Sequence, residues 1–231
     1  MKTVLILLAL LAPLPALGAE LKIATWNLNW LTTRPEGAPG LPADVKPRSD
    51  ADLALLAGYA KDLNADVVAI EEVDGFQAAS KVFSHDLYSI HMTRDHVVQR
   101  VGIAVRRGLH YDINPDLTAL SDHYLRSGAD ITLHLGTSQL RILAVHLKKG
   151  CRDIPMPRAV SRSCTELRAQ IGPLADWIAA RSADGQVECF DVTENEHREH
   201  ILKTSRAPAA IPDTLATQAR DVAQRIANAL N

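Results

Sequence analysis

Residues 65–73 read Ala-Asp-Val-Val-Ala-Ile-Glu-Glu-Val, a nearly continuous apolar run that closes on two adjacent carboxylates. A strand this apolar needs cover on both faces, which places it inside a sheet with further layers on either side. Three other runs share the pattern, at 22–31, 101–105 and 140–151, each with polar residues at or near its C-terminal end. Open α/β sheets place their chemistry at that end of their strands.

Between these runs the chain alternates strand and helix. A loop rich in Pro and Gly covers 32–48, holding Pro35, Gly37, Pro39, Gly40, Pro42 and Pro47. Ser49 or Asp50 can cap a helix in which Leu53, Leu56, Tyr59 and Leu63 keep helical spacing. Short strands are expected near 87–91, 101–106, 129–135 and 140–147. A helix over 165–181 would gather Leu167, Ile171, Leu174 and Ile178 on one face. Strands alternating with helices, together with hairpin-like pairs, predict a layered α/β sandwich.

The N-terminus reads as an export signal. Lys2 precedes an apolar core over 3–12, and Pro13, Pro15, Ala16, Gly18 and Ala19 follow. That core is too short to span a bilayer, which needs about 20 apolar residues, so no stable membrane insertion is expected after cleavage near residue 19. The mature protein is expected to be secreted or periplasmic. In such a compartment Cys151 and Cys164, with twelve residues between them, can staple a loop, worth roughly 3 kcal/mol in the chain-entropy picture. Cys189 is then left over. A net charge of −2 argues against non-specific coating of nucleic acid. It leaves room for a local basic rim, for which Arg94, Arg100, Arg106, Arg107, Lys148, Lys149 and Arg152 are available.

The four strand segments, in this order, resemble the metal-dependent endonuclease/exonuclease/phosphatase family, the deoxyribonuclease I-like sandwich. The resemblance implies a magnesium (or manganese) ion held by Glu72, at the family's Gln-Glu-Val position, where Glu71 stands in place of the glutamine. Strand alternation sends Glu71 and Glu72 to opposite faces, so one of them faces the site, and the resemblance selects Glu72. It likewise implies that Asn27 orients metal and phosphate, and that His146 stabilises or protonates the reacting group. Asn29 falls where some members carry an aspartate, which favours one metal over two. Lys148, Lys149 and Arg106 are the candidate phosphate-binding cations. Ser121, Asp122 and His123 spell the family's closing motif but come before the His146 strand, and are read as a loop coincidence.

The family's Gly-Asp-Phe-Asn strand end does not follow the 165–181 helix. Residues 191–202 and 205–208 instead resemble the ATP-grasp enzyme carboxyaminoimidazole ribonucleotide synthetase. A closing helix over 213–230, with Leu215, Ala219, Val222 and Ile226 on one face, belongs to the same resemblance. Glu194, Asn195, His197 and His200 are read there as a solvated polar loop. The chain thus divides into a leader over 1–19, an incomplete sandwich over 20–182 and an unrelated tail over 183–231, joined near 182–187. Truncating or replacing the second half would expose apolar sheet faces, at roughly 25 cal/mol per Å², and self-association through such a face is expected.

The function implied is a secreted, magnesium-dependent phosphodiesterase acting on nucleic acid, its activity in question without the later motifs. An inactive truncated or fused remnant is one alternative. A phosphomonoesterase or sphingomyelinase-type phospholipase is the other.

Overall fold

A computed structural model of the chain describes residues 21–121, 124–151, 161–182 and 200–204. The expected leader, Asp122, His123, Arg152, Cys189, the expected junction and the closing helix over 213–230 lie outside the described residues. Among those described, no helix is long and apolar enough to cross a membrane.

The elements in chain order are β1 (Leu21–Leu31), α1 (Asp50–Leu63), β2 (Val67–Val73), α2 (Gly75–Val82), β3 (Tyr88–Met92), β4 (Arg100–Arg106), β5 (His110–Ile113), β6 (Ala129–Leu135), β7 (Ser138–Ala144), α3 (Arg162–Ser182) and β8 (His200–Thr204), with a 3-10 turn at Thr118–Leu120. The larger sheet has the order β3-β4-β2-β1-β8 and the smaller one β5-β6-β7. β1 and β2 are parallel, and the remaining pairs are antiparallel. Parallel neighbours need a crossover, and α1 supplies it.

Local chemistry sets the ends of α1. Ser49, not Asp50, is the cap: its Oγ accepts from the Asp52 backbone N–H, and Asp52 Oδ2 accepts from the Ser49 backbone N–H at 3.0 Å. Asn64 ends the helix in the left-handed conformation, φ 48°, which Asn tolerates better than most residues.

Two apolar cores flank the larger sheet. On one side Ala24, Leu28, Val68 and Ile70 pack with Leu53, Ala60, Ala78, Val82 and Phe83 from the helical layer. On the other, Ile23, Val67, Val101, Ile103 and Val105 meet Ile131, Leu133, Leu140 and Ile142 of the smaller sheet. β2 is therefore covered on both faces, as its unbroken apolar run requires. The large apolar side chains left exposed include Leu55 and Tyr59 on α1, Phe76 on α2 and Ile113 on β5. None belongs to the inter-sheet core, so the exposed sheet face expected to drive self-association is not found among the described residues.

The outer face of β6 carries a polar hub. Asp130, 1% exposed, accepts from Arg141 Nε at 2.7 Å and Nη2 at 2.9 Å, from Asn114 Nδ2 at 2.9 Å and from Trp177 Nε1 at 2.8 Å. Trp177 lies on α3, so this carboxylate ties that helix to the sheet. Gln170 adds a second tie, donating to Leu120 O and accepting from the Lys148 backbone N–H.

Two expectations change. The α3 helix starts three residues earlier than its apolar spacing predicts. His200, read within a polar loop, opens β8, whose backbone pairs with β1 from Thr25↔His200 to Leu21↔Thr204. Backbone pairing at an open strand edge needs no apolar pattern, so hydrophobic spacing gave no signal for it.

Asp130→Ala is expected to cost about 3–5 kcal/mol, because it strands Arg141 beside a buried face. Trp177→Phe removes a single donor to a carboxylate and should cost about 1.5–3 kcal/mol. Urea denaturation of both variants checks the order.

Candidate active site

The site forms where the parallel strands β1 and β2 end side by side. Asn27 of β1 is in register with Glu71 of β2, after which the pairing slips on both sides of β2. Glu72 takes φ 57°, and Asn29 and Trp30 take φ 46° and 58°. Left-handed backbone at a non-glycine costs of order 1–3 kcal/mol, and such residues cluster at functional sites.

The Glu72 bulge overturns the expectation that Glu71 and Glu72 face opposite ways. Alternation holds for a regular strand, and a bulged residue re-aims its side chain. Both carboxylates therefore reach His146, which follows β7: Glu71 Oε2 stands 2.9 Å from Nδ1 and Glu72 Oε1 3.3 Å from Nε2. Asn27 Nδ2 donates to Glu72 Oε1 at 3.1 Å, and Thr25 Oγ1 donates to Glu71 Oε1 at 3.3 Å. Asn27 Oδ1 accepts from the Asn29 backbone N–H at 2.9 Å, so Asn29 serves the turn.

Electrostatics follow from this packing. Burial pushes the Glu72 carboxyl up, but hydrogen bonds from His146, Asn27 and Gln99 and the charge of His146 bring it down to about 2. Burial likewise pulls His146 down, and the two glutamates more than reverse it, raising the imidazole above its ordinary value. Arg126 donates from Nε to the His146 carbonyl at 3.1 Å. Burial lowers its guanidinium from the ordinary value against the pull of Glu72, Glu71 and Asp95.

A cavity of about 390 Å³ opens over these groups, with Glu72, His146 and Arg126 in its floor and Tyr124, Lys149 and Arg162 among its walls. Lys148 also lines it, with Nζ 3.2 Å from Glu166 Oε2. The wall is held by the Cys151–Cys164 disulfide, Cα–Cα 4.7 Å, which joins the loop after β7 to the first turn of α3.

Of the residues singled out in the sequence, Asn27, Glu72, His146, Lys148 and Lys149 come together. Arg106 does not. It lies at the far end of β4, beside the start of β2, where Nε pairs with Asp66 at 3.3 Å and Nη2 donates to Ala65 O. The antiparallel pairing of β4 with β2 puts Arg100, not Arg106, at the site's end, and Arg100 faces Asp74 at 3.7 Å. Gln99 and Arg126 were missed, and Glu71 was set aside in favour of Glu72. Arg126 is brought there by pairing: β6 runs antiparallel to β7, Ala129 opposite Ala144, so residues before β6 sit beside those after β7.

The donor set suits a hard divalent cation. Glu72 is held ionised, and magnesium keeps several waters and takes one or two protein carboxylates. Asn27, whose Nδ2 faces Glu72 and whose Oδ1 takes the Asn29 N–H, would add an oxygen ligand once its amide turned. Among the described residues no group of three or more His, Cys, Asp or Glu forms a dedicated metal cage.

Comparison with known proteins gives two likenesses. Crystal structures of Caenorhabditis elegans TDP2 are similar in fold. A truncated form superposes with TM-score 0.52 at 17% identity, over 71% of this chain and 57% of that one. Another superposes with TM-score 0.50 at 18% identity, over 71% of this chain and 44% of that one. The fold is a deoxyribonuclease I-like α/β sandwich. In sequence, residues 175–231 match the model of the ATP-grasp domain. An N5-carboxyaminoimidazole ribonucleotide synthase from Brucella melitensis is 32% identical over 99 residues, 42% of this chain and 26% of that protein. The bifunctional purine synthesis protein purC/E of Dictyostelium discoideum is 28% identical over 93 residues, 40% of this chain and 9% of that protein. The chain thus spans well under a third of the curated relatives it matches, and little more than half of the truncated TDP2 structure.

His146→Ala leaves two buried carboxylates side by side with their shared cation gone. In EDTA it is expected to cost about 3–5 kcal/mol. Adding Glu71→Gln to His146→Ala should recover part of that loss, because it removes one of the two facing charges. A double-mutant cycle by urea denaturation reads both.

Proposed function

We propose that the site at the ends of β1 and β2 is that of a metal-dependent phosphodiesterase acting on nucleic acid, in an exported protein. The observation that carries this reading is the Glu72 bulge, which brings both carboxylates to His146 and Glu72 to the Asn27 amide, beside a cavity that Glu72 and His146 line. Glu72 and the Asn27 amide would hold magnesium or manganese, which supplies positive charge to the phosphate as negative charge builds in the transition state.

The chain's own residues do the rest. Glu71 holds His146 Nδ1 at 2.9 Å, which fixes the ring and favours its protonated form. Nε2, at the longer 3.3 Å from Glu72, is the proton to offer to a phosphoryl or leaving oxygen. Arg126 sets a buried positive charge beneath the same cavity. Lys148 and Lys149, which line the cavity, would meet flanking phosphates. Export is supported by the N-terminal pattern of charged, apolar and small residues, and by the disulfide.

A second reading is an inactive remnant. It is favoured by the ATP-grasp match over 175–231, which occupies the part of the chain where the phosphodiesterase pattern places its Gly-Asp-Phe-Asn strand.

Purified chain starting at residue 20 is expected to cleave plasmid DNA or oligonucleotides with magnesium, and to lose that activity in EDTA and in Glu72→Ala. His146→Ala should lower kcat by about 10²–10⁴-fold. A folded, monodisperse sample that cleaves no nucleic acid under these conditions overturns the proposal in favour of the remnant.

A further inference from the structure

Tyr124 is 77% exposed, the most exposed of the large apolar side chains among the described residues. Single exposed apolar residues are ordinary on a protein surface. Tyr124 differs in its place. It stands in the loop before β6, two residues ahead of Arg126, and forms part of the same cavity wall as Lys149 and Arg162, above Glu72 and His146. The other prominent exposed apolar groups, Leu55, Tyr59, Phe76 and Ile113, line neither this cavity nor its mouth.

The surrounding charges are those of a phosphate track. Lys149 is exposed and has no ion-pair partner among the described residues. Arg162, its side chain 80% exposed, is held by Glu166 at 2.7 Å, and Glu166 also answers Lys148 at 3.2 Å. Glu166 thus orients two cations at the wall while neutralising only part of their charge. An aromatic face between basic side chains is the arrangement that binds single-stranded nucleic acid: the cations follow the backbone and the ring takes a base. A base inside a duplex already has its faces stacked, so a ring that projects into solvent at the cavity mouth is open to an unpaired one.

We propose that Tyr124 is a stacking platform for an unpaired nucleobase next to the phosphate in the cavity, with Lys149 and Arg162 on the flanking backbone, so that the substrate is single-stranded. This deepens, and rests on, the nucleic-acid reading of the same site. The phenol hydroxyl is not needed for stacking, and the base is. Tyr124 acts in binding and orientation and takes no part in proton transfer.

The test is fluorescence anisotropy of the chain from residue 20 with three dye-labelled probes in EDTA. They are a deoxythymidine strand of about twelve nucleotides, within the site sizes such grooves accept, an abasic strand of equal length, and a blunt duplex. The wild-type chain is expected to bind the thymidine strand most tightly. Tyr124→Ala should weaken that binding by about 5- to 150-fold, the factor that corresponds to stacking one base, and should weaken abasic binding far less. Tyr124→Phe should keep the preference for the thymidine strand. Equal loss on thymidine and abasic strands, no loss on either, equal affinity for duplex, or no binding to any probe overturns the platform. Cleavage is read separately. Base-dependent binding without magnesium-dependent cleavage would retire the phosphodiesterase and leave the platform standing. Cleavage indifferent to Tyr124→Ala would do the reverse.

Discussion

One residue held in an unfavourable backbone conformation organises this site. With regular alternation, Glu71 and Glu72 would sit on opposite faces of β2 and only one could meet His146. The left-handed turn at Glu72 brings them to the same imidazole. Its backbone cost, of order 1–3 kcal/mol, is offset by the bonds the carboxylate makes to His146, Asn27 and Gln99. The clamp also crosses between layers, since the glutamates end a strand of the larger sheet and His146 follows β7 of the smaller one. The inter-sheet core therefore sets the spacing of the reacting groups. Val67 and Ile103 on one side and Ile131 and Ile142 on the other fix how far β2 lies from β7, and close-packed interiors resist small changes in such spacing.

Charge balance makes the arrangement tolerable. Two carboxylates, an imidazole raised toward its cationic form and a guanidinium lie within one buried group. Any one of them alone would be expensive to bury, and together each has a partner of opposite sign. The same balance leaves the wall, with Lys149 and Arg162, as the place where net positive charge meets solvent. The floor is suited to holding a reacting group, and the rim to attracting a chain of phosphates.

Much of the architecture was legible because hydrophobic pattern controls it. The unbroken apolar run of β2 announced cover on both faces, and Ser49 or Asp50 marked the start of α1 as a cap. Asn27, Glu72 and His146 were singled out by the family resemblance, each in or just after a strand-like run, and the structure brings the three together. What escaped depends on pairing and on backbone irregularity. Arg106 was read as a rim cation because sequence alone does not reveal that β4 runs against β2 and carries its C-terminal end away from the site. Arg126 was overlooked for the complementary reason, since only the pairing of β6 with β7 brings it beside His146. Glu71 was dismissed on alternation, which a bulge breaks without leaving a composition signal. β8 was invisible because its attachment to β1 is a backbone ladder.

The continuity of α3 bears on how the chain can be divided. The ATP-grasp match begins at residue 175, inside a helix that runs unbroken from Arg162 to Ser182. The first turns of that helix carry Cys164 and Glu166 at the cavity wall, and Trp177 beyond residue 175 is bonded to Asp130 beneath the smaller sheet. The limit of the ATP-grasp domain match and the limit of mechanical attachment are therefore different places. An excision made at residue 175, where that match begins, would cut the brace out from under the cavity wall, whereas one made after Ser182 would leave the brace whole.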